Sequence, residues 1–192
     1  MVKIVKIVEA IEIPKDVHVT LKGKILSVKG KLGSVIKDFS HARQIEISAN
    51  KEKITLNTDF PRRSVAAILY TIKNVINNMF LGVQKGYLYK MRVAYAHFPI
   101  TVEPPKKGST EIVIKNFIGE RAPRITNAIG DVQIKVDKDE VVVTGCDKEH
   151  VGQTCANIQN RCRIKQKDKR VFADGVYLYE RYIGDQQLWA LK

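Results

Sequence analysis

Alternating apolar and polar positions, followed by a helical pattern, occur twice along the 192-residue chain. The segments IEISANKEKITLN (residues 45–57) and VQIKVDKDEVVVT (residues 132–144) alternate on both sides of a charged turn. This pattern is typical of a β-hairpin. Because the two segments are separated by 87 positions, the sequence predicts an internal repeat with one hairpin in each copy.

A helix is predicted after each hairpin. In the first copy, apolar residues recur at the spacing of a helix packed on a core: Val65, Ile68, Leu69, Ile72, Val75, Ile76 and Met79. Gly82 is expected to end this helix. The second helix is expected to begin after Asp147, whose carboxylate would accept the free N–H groups of the first turn, and to run to about Cys162.

Further strands complete each copy. A strand over 17–22, a turn at Gly23-Lys24 and a strand over 25–28 precede the first hairpin, and a turn over 104–109 and a strand over 111–114 precede the second. The predicted fold class is therefore α+β, with two tandem duplicated domains. Each domain is predicted to be an antiparallel sheet packed with one long helix.

The segment YKMRVAYAHFPI, residues 89–100, opens the second copy. At an offset of 86–87 residues it corresponds to KIVKIVEAIEIP near the start of the chain, so the predicted domains are 1–84 and 85–192. Alternation assigns one set of side chains to the core of the second domain: Tyr89, Met91, Val93 and Tyr95. Lys90 and Arg92 lie on the opposite face, where they are candidates for contact with an anionic partner.

The net charge of +13 favours a polyanionic partner such as RNA, because each neutralised phosphate releases a counterion. Residues 1–98 contain 17 basic and 7 acidic residues, and residues 99–192 contain 16 and 13. The densest cluster is RCRIKQKDKR, residues 161–170, with six cations and one Asp. Outside this cluster the second half is net negative.

Five cations of the cluster recur at every second position: Arg161, Arg163, Lys165, Lys167 and Lys169. An extended chain would present them on one side, about 6.6 Å apart. Such a row, with the adjoining Arg170, predicts binding to phosphates rather than reading of bases. The alternative interpretation is a solvated basic loop.

Motifs for chemistry are missing from the sequence, which contains no phosphate-binding loop, dinucleotide fingerprint, nucleophile elbow or HExxH motif. Cys146, His150, Cys155 and Cys162 could be assembled into a zinc site, but buried thiols are favoured because Cys155 and Cys162 share the apolar face of the second helix. No apolar run is long enough to span a bilayer, and no signal peptide is recognised. We expect a soluble, intracellular protein that is not an enzyme and needs no cofactor, metal or small-molecule substrate.

Four segments resemble a known family: INNMFLGVQKGYLYKMRVAYAHFPI (76–100), IEIPKDVHVTLKGKILSVKGKLG (11–33), KNFIGE (115–120) and KRVFADGVYL (169–178). The family is the universal large-subunit ribosomal protein numbered six in the universal naming and nine in the eukaryotic naming. The resemblance covers roughly residues 8–182.

The resemblance implies two tandem α+β domains and a structural constituent of the large (60S) subunit of the cytosolic ribosome. It implies binding to large-subunit rRNA near the sarcin–ricin loop and the stalk base, next to neighbouring ribosomal proteins. By motif, residues 161–170 and 172–175 would lie at rRNA, with Lys115, Arg121 and Arg124 as further candidates. A free RNA-binding adaptor or assembly factor on the same fold is the alternative, and an RNA-modifying enzyme is a more distant one.

Overall fold

The computed structural model describes residues 5–50, 52–106, 108–165, 167–168 and 171–191. The chain divides into two compact units, Met1–Lys85 and Gly86–Lys192, which we call unit 1 and unit 2. Within the described residues, neither helix is long and apolar enough to cross a membrane.

Unit 1 consists of six strands and one helix. In chain order these are β1 (Lys6–Glu12), β2 (His18–Lys22), β3 (Ile25–Lys29), β4 (Ser34–Asp38), β5 (Glu46–Ala49), β6 (Lys53–Asp59) and α1 (Arg63–Lys85). They form two antiparallel sheets, with strand orders β1-β6-β5 and β2-β3-β4. α1 contacts strands of both sheets, so its buried stripe joins them into one core.

The first helix extends beyond its predicted end. Gly82 lies inside α1 and is buried, so the prediction that it ends the helix is wrong. Val83 is fully buried, and its carbonyl accepts the N–H of Leu32 at 3.1 Å. The buried face of α1 therefore continues past Gly82 to Val83. Gly86, with φ 76°, supplies the left-handed residue that follows the last turn.

Unit 2 repeats this arrangement and extends it. Its elements are β7 (Tyr87–Ala94), β8 (Thr101–Glu103), β9 (Glu111–Lys115), a 3-10 turn (Phe117–Gly119), β10 (Arg124–Asn127), β11 (Gln133–Asp137), β12 (Glu140–Gly145), α2 (Lys148–Arg161), β13 (Gly175–Ile183) and β14 (Gln186–Ala190). One sheet has the order β10-β9-β8 and the other has the order β11-β12-β7-β13-β14. The α+β class and the duplication are confirmed, with two sheets in each unit where one was predicted.

β7 is the middle strand of the five-stranded sheet. Tyr89, Met91 and Val93 are buried as predicted. The prediction for Tyr95 is wrong: it is 42% exposed because β7 ends at Ala94. The chain bends there, and the N–H of Ala96 donates to the buried carboxylate of Asp174 at 2.6 Å.

The register between the repeats also differs from the prediction. β7 pairs with β12 as β1 pairs with β6, so β7 has the place of β1. Ile11 lies opposite Ile54, and Met91 lies opposite Val141, which is the hairpin counterpart of Ile54. Ile11 therefore corresponds to Met91, and the offset of 86–87 does not hold in this strand. The connections that precede β8 and β9 are longer in unit 2 than their counterparts in unit 1.

Candidate nucleic-acid interface

α2 determines where the basic segment, residues 161–170, begins. The helix starts as predicted, because the Asp147 carboxylate accepts the N–H of Glu149 at 2.9 Å. It ends at Arg161, whose charge lies in the last turn, where the helix dipole favours a cation. The segment therefore leaves the core from a fixed point.

Exposure alternates along the first half of the basic segment. Arg161, Arg163 and Lys165 are exposed, whereas Cys162 and Ile164 are buried in the hydrophobic core of unit 2. The apolar residues thus anchor the chain and leave the three cations exposed. Arg161 belongs to the last turn of α2 and residues 163–165 form no strand, so the extended row that the spacing predicts does not begin at Arg161. None of these three cations forms an ion pair with another described residue. Lys169 and Arg170 lie outside the described residues.

Arg124, on β10, holds this segment by its backbone. Its Nη1 donates to the carbonyl of Arg161 at 2.8 Å and to that of Arg163 at 3.2 Å. Its Nε and Nη2 donate to the two carboxylate oxygens of Glu120 at 2.8 and 2.6 Å. The hydrogen bond to Glu120 raises the pKa of Arg124 and lowers the pKa of Glu120. We call Arg124, Glu120 and the two carbonyls the Arg124 clamp. Because the guanidinium makes all of these hydrogen bonds within the protein, its role is to position the basic segment.

The turn before Glu120 has an unusual backbone conformation. Asn116 and Ile118 have φ values of 57° and 51°, and such values are rare for a β-branched residue. The Asn116 side chain donates to the carbonyl of Pro99 at 3.0 Å, and the Arg124 guanidinium lies 4.1 Å from the centre of the Phe117 ring. Surrounding contacts therefore maintain the strained turn that presents Glu120 to Arg124.

The end of the basic segment leads into β13. Lys167 Nζ lies 4.9 Å from the centre of the half-buried Phe172 ring, a cation–π distance. Asp174 and Gly175 are buried, and Asp174 binds the backbone after β7. The 172–175 stretch is thus held against the backbone that follows β7.

Two other predicted cations are already neutralised within unit 2. Lys90 Nζ lies 3.3 Å from the Glu180 carboxylate and 3.7 Å from that of Glu140, and its bond to Glu180 raises its pKa. Lys115 forms an ion pair with Glu103. A phosphate would have to compete with these carboxylates, so neither side chain is part of the interface that we describe.

Arg92 and Arg121 are exposed and lie in different surroundings. Arg92 lines a groove of about 310 Å³ with Lys138 and three carboxylates, those of Asp137, Asp139 and Glu140, so acidic side chains outnumber basic ones there. Arg121 lies in the loop between the 3-10 turn and β10. The structure therefore separates the predicted cations into an exposed row, two paired lysines, one positioning arginine and these two outliers.

Sequence reasoning missed Glu120, Gln159, Asn160 and Tyr177. The four-residue spacing of Glu120 and Arg124 signals a pair only on a helix, and no helix is predicted there. The two amides precede the basic segment at the end of α2, and Tyr177 follows it on β13. Their convergence depends on the antiparallel pairing of β13 with β7, which no local pattern reveals.

The cysteines do not form a metal site. Within the part of the chain that the structure describes, no three His, Cys, Asp or Glu side chains could share a metal ion. Burial raises the pKa of Cys155 to about 12 and that of Cys162 to about 11, which keeps both thiols protonated. They are core residues, as the helical face predicts.

Comparison with known proteins agrees with this architecture. The family model for ribosomal protein L6 matches residues 13–86 and again residues 98–175, one match in each unit. The chain belongs to the ribosomal protein L6 family. This is a family of structural proteins without enzymatic activity, and the sequence-based family assignment is confirmed.

Relatives match nearly the whole length of this L6-family chain. It is 46% identical over 181 residues to large ribosomal subunit protein uL6 of Staphylothermus marinus, covering 94% of this chain and 97% of the relative. It is 44% identical over 182 residues to the uL6 protein of Methanosphaera stadtmanae, with coverages of 94% and 97%. The uL6 protein of Saccharolobus solfataricus is 42% identical over 181 residues, with coverages of 94% and 98%.

Proposed function

We propose that this chain is a structural constituent of the large subunit of the cytosolic ribosome and binds large-subunit rRNA through unit 2. Membership of the L6 family supports the ribosomal role. The observation that supports the mode of binding is the row of exposed cations at Arg161, Arg163 and Lys165, which have no acidic partner among the described residues and are held in place by the Arg124 clamp. Lys167, Lys169 and Arg170 extend the proposed row.

The proposed mechanism is phosphate neutralisation by a surface of fixed shape. Folded rRNA presents phosphates at regular spacing, and each contact with a cation releases counterions. A row whose backbone is already held by Arg124 loses less conformational entropy on binding than a free loop would lose. Arg121 is a candidate at the edge of this surface, whereas Arg124 acts by positioning it.

We further propose that the basic segment lies near the sarcin–ricin loop and the stalk base, with other ribosomal proteins as neighbours. Cross-linking on intact ribosomes tests this placement. Cross-links from residues 161–168 to the sarcin–ricin region would support it, and cross-links confined to a distant rRNA domain would contradict it. The size of the particle in a sucrose gradient separately tests the 60S assignment.

The central experiment replaces Arg161, Arg163 and Lys165 together with glutamine. Affinity for large-subunit rRNA is expected to fall. The slope of log affinity against log salt should decrease in magnitude by about 2 to 3, because about 0.7–0.9 of a counterion is released per phosphate contact. An unchanged slope would contradict phosphate binding by this row.

A matched control removes the same charge from unit 1. Arg62, Arg63 and Lys22 are exposed, and the triple change to glutamine removes two arginines and one lysine there. This control should keep the wild-type slope. Equal losses in both triple variants would show that net charge alone governs binding.

Co-sedimentation separates the ribosomal role from that of a free adaptor or assembly factor. A ribosomal constituent should remain with mature large subunits after a moderate salt wash. Recovery only with immature particles or in light fractions would favour the alternative.

A further inference from the structure

A groove lies beside the basic segment, between the end of α2 and the start of β13. Its volume is about 350 Å³, within the range of about 300–1,000 Å³ common for small-ligand sites. Gln159 and Asn160 line it from α2, Arg163 lines it from the basic segment, and Phe172 and Tyr177 line it from the chain leading into β13. Amides, a cation and aromatic rings therefore converge on one space.

Tyr177 forms a fixed aromatic surface in this groove. Its hydroxyl donates long hydrogen bonds to the carbonyls of Ala173 and Asp174, at 3.3 and 3.4 Å. A Cβ on Gly175 would lie 2.8 Å from the Tyr177 ring, so the ring packs directly on the glycine backbone. The side chain nevertheless remains 42% exposed. Burial raises the pKa of the Tyr177 phenol above its ordinary value.

The two amides supply hydrogen-bonding groups. Both residues are exposed, and neither side-chain amide bonds to another of the described residues. Another amide pair on the same helix differs: Gln153 donates to Asn157 at 2.9 Å, and Asn157 also donates to the carbonyl of Asn127. Gln159 and Asn160 are therefore available to a ligand, whereas Gln153 and Asn157 are already bonded to each other.

A second groove shares the two amide residues with the first. It has a volume of about 190 Å³, shares Gln159 and Asn160 with the first, and reaches Arg181 on β13. The Arg181 guanidinium lies 5.5 and 5.1 Å from the rings of Tyr89 and Trp189, which fix its direction. Arg163 lines the first groove, Arg181 lines the second, and Gln159 and Asn160 line both.

We propose that this groove binds one unstacked nucleobase of the rRNA, with adenine preferred. The base stacks on Tyr177, Gln159 or Asn160 bonds to its edge, and Arg163 binds the adjoining phosphate. An aromatic ring that accepts a splayed base is a common solution in RNA recognition. On the Watson–Crick edge of adenine, an asparagine or glutamine amide can donate to N1 and accept from the N6 amino group, which shields N1 from methylation. The inference rests on the proposed rRNA binding and adds to it a point of base selection.

The test uses the full chain and its complete large-subunit rRNA. Dimethyl sulfate reports the accessibility of unpaired adenines, and hydroxyl radicals report contacts to the backbone. The wild-type protein is expected to protect at least one unpaired adenine within its backbone footprint. Gln159→Ala with Asn160→Ala should remove that protection. Tyr177→Leu should also remove it and weaken binding about 5- to 150-fold, the range for loss of one stacked base.

The slope of log affinity against log salt distinguishes this base site from the row of cations at Arg161, Arg163 and Lys165. Neither change removes a cation, so the slope should stay at the wild-type value. Gln153→Ala with Asn157→Ala is the matched control and should leave the adenine protection intact. Gln159 and Asn160 are exposed, so the variant that replaces both with alanine should fold. It keeps the test valid even if Tyr177→Leu fails to fold.

Two outcomes would overturn the inference in distinguishable ways. A backbone footprint with the expected salt slope, but with the same adenine reactivities in wild type and the amide variant, would eliminate the base site and leave the proposed function standing. Absence of any footprint from the wild-type protein would eliminate both.

Discussion

The two units share a fold but differ in the chain segment that comes after the long helix. In unit 1 the chain passes from α1 through Gly86 into the next unit, and β1 remains at the edge of a three-stranded sheet. In unit 2 the chain leaves α2, forms the basic segment and returns as β13, which pairs with β7. The same extension therefore completes the sheet and carries the exposed cations. Duplication provided the scaffold, and the candidate interface lies in the part that is not duplicated.

Both units also use a cation to hold a connection by its backbone. In unit 1, Lys24 Nζ donates to the carbonyls of Ala42 and Arg43 at 2.7 and 3.2 Å. In unit 2, the planar guanidinium of Arg124 likewise donates to two backbone carbonyls, and it also binds the Glu120 carboxylate. A lysine suffices for a connection that only joins strands. The arginine fork fixes the segment that we propose to meet rRNA.

The largest predicted effect contrasts the central strand with the edge strand. Leu88→Pro removes an N–H from β7, where both neighbours are paired, and should destabilise unit 2 by about 3 kcal/mol or more. Val8→Pro in β1 is expected to cost less than about 1 kcal/mol, because its N–H points away from β6. Hydrogen exchange in the full chain, measured peptide by peptide, checks both. Equal losses would show that β1 is not an edge.

Next in size is loss of the Arg124 clamp. Arg124→Ala frees two carbonyls and the Glu120 carboxylate, and should destabilise unit 2 by about 2 kcal/mol. Hydrogen exchange over residues 161–165 should accelerate, and rRNA affinity should fall although Arg124 itself faces protein. Lys24→Met is the control in unit 1. It should accelerate exchange only around its own connection and leave rRNA affinity unchanged.

A smaller effect separates paired cations from exposed ones. Lys90→Gln leaves the carboxylates of Glu140 and Glu180 facing each other and should cost about 1 kcal/mol, since all three side chains are partly exposed. Lys73→Gln removes the partner of Glu9, at 2.7 Å, and should cost a similar amount in unit 1. Denaturant unfolding measures both. Neither variant should alter the salt slope of rRNA binding, and a reduced slope for Lys90→Gln would place it in the interface.

The smallest effect concerns pH. The bond from Arg124 lowers the pKa of Glu120 in the folded state, below the value of about 4.3 in an unfolded chain. Its stabilising contribution is therefore complete above pH about 4.3 and is lost as pH falls through the folded pKa. Glu120→Gln should reduce stability by less than about 1 kcal/mol at pH 7, and the difference from wild type should shrink in acid. A difference that persists at low pH would show that the carboxylate charge is not responsible.

Local patterns predicted much of the architecture, and long-range pairing accounts for the rest. The hairpins, α2 with its Asp147 cap, and the buried Tyr89, Met91 and Val93 follow from periodicity and capping. Tyr95 was misplaced because alternation alone does not show where a strand ends.

The candidate site was predictable to a similar extent. The composition of the segment indicated a cluster of cations, and Arg161, Arg163 and Lys165 are exposed while Cys162 and Ile164 between them are buried. Their support by Arg124 was not predictable, because β10 and the end of α2 come together only in the folded unit.

The position of β7 has a consequence for the order of folding. All strand pairs of unit 1 lie within residues 6–59, so they can form once α1 has been synthesised. β7 must wait for β13, because Ala94 pairs with Gly175 and Tyr87 pairs with Ile183. Closure of such long loops slows folding. We expect unit 1 to fold first during translation, while β7 keeps one open edge until β13 has emerged from the synthesising ribosome.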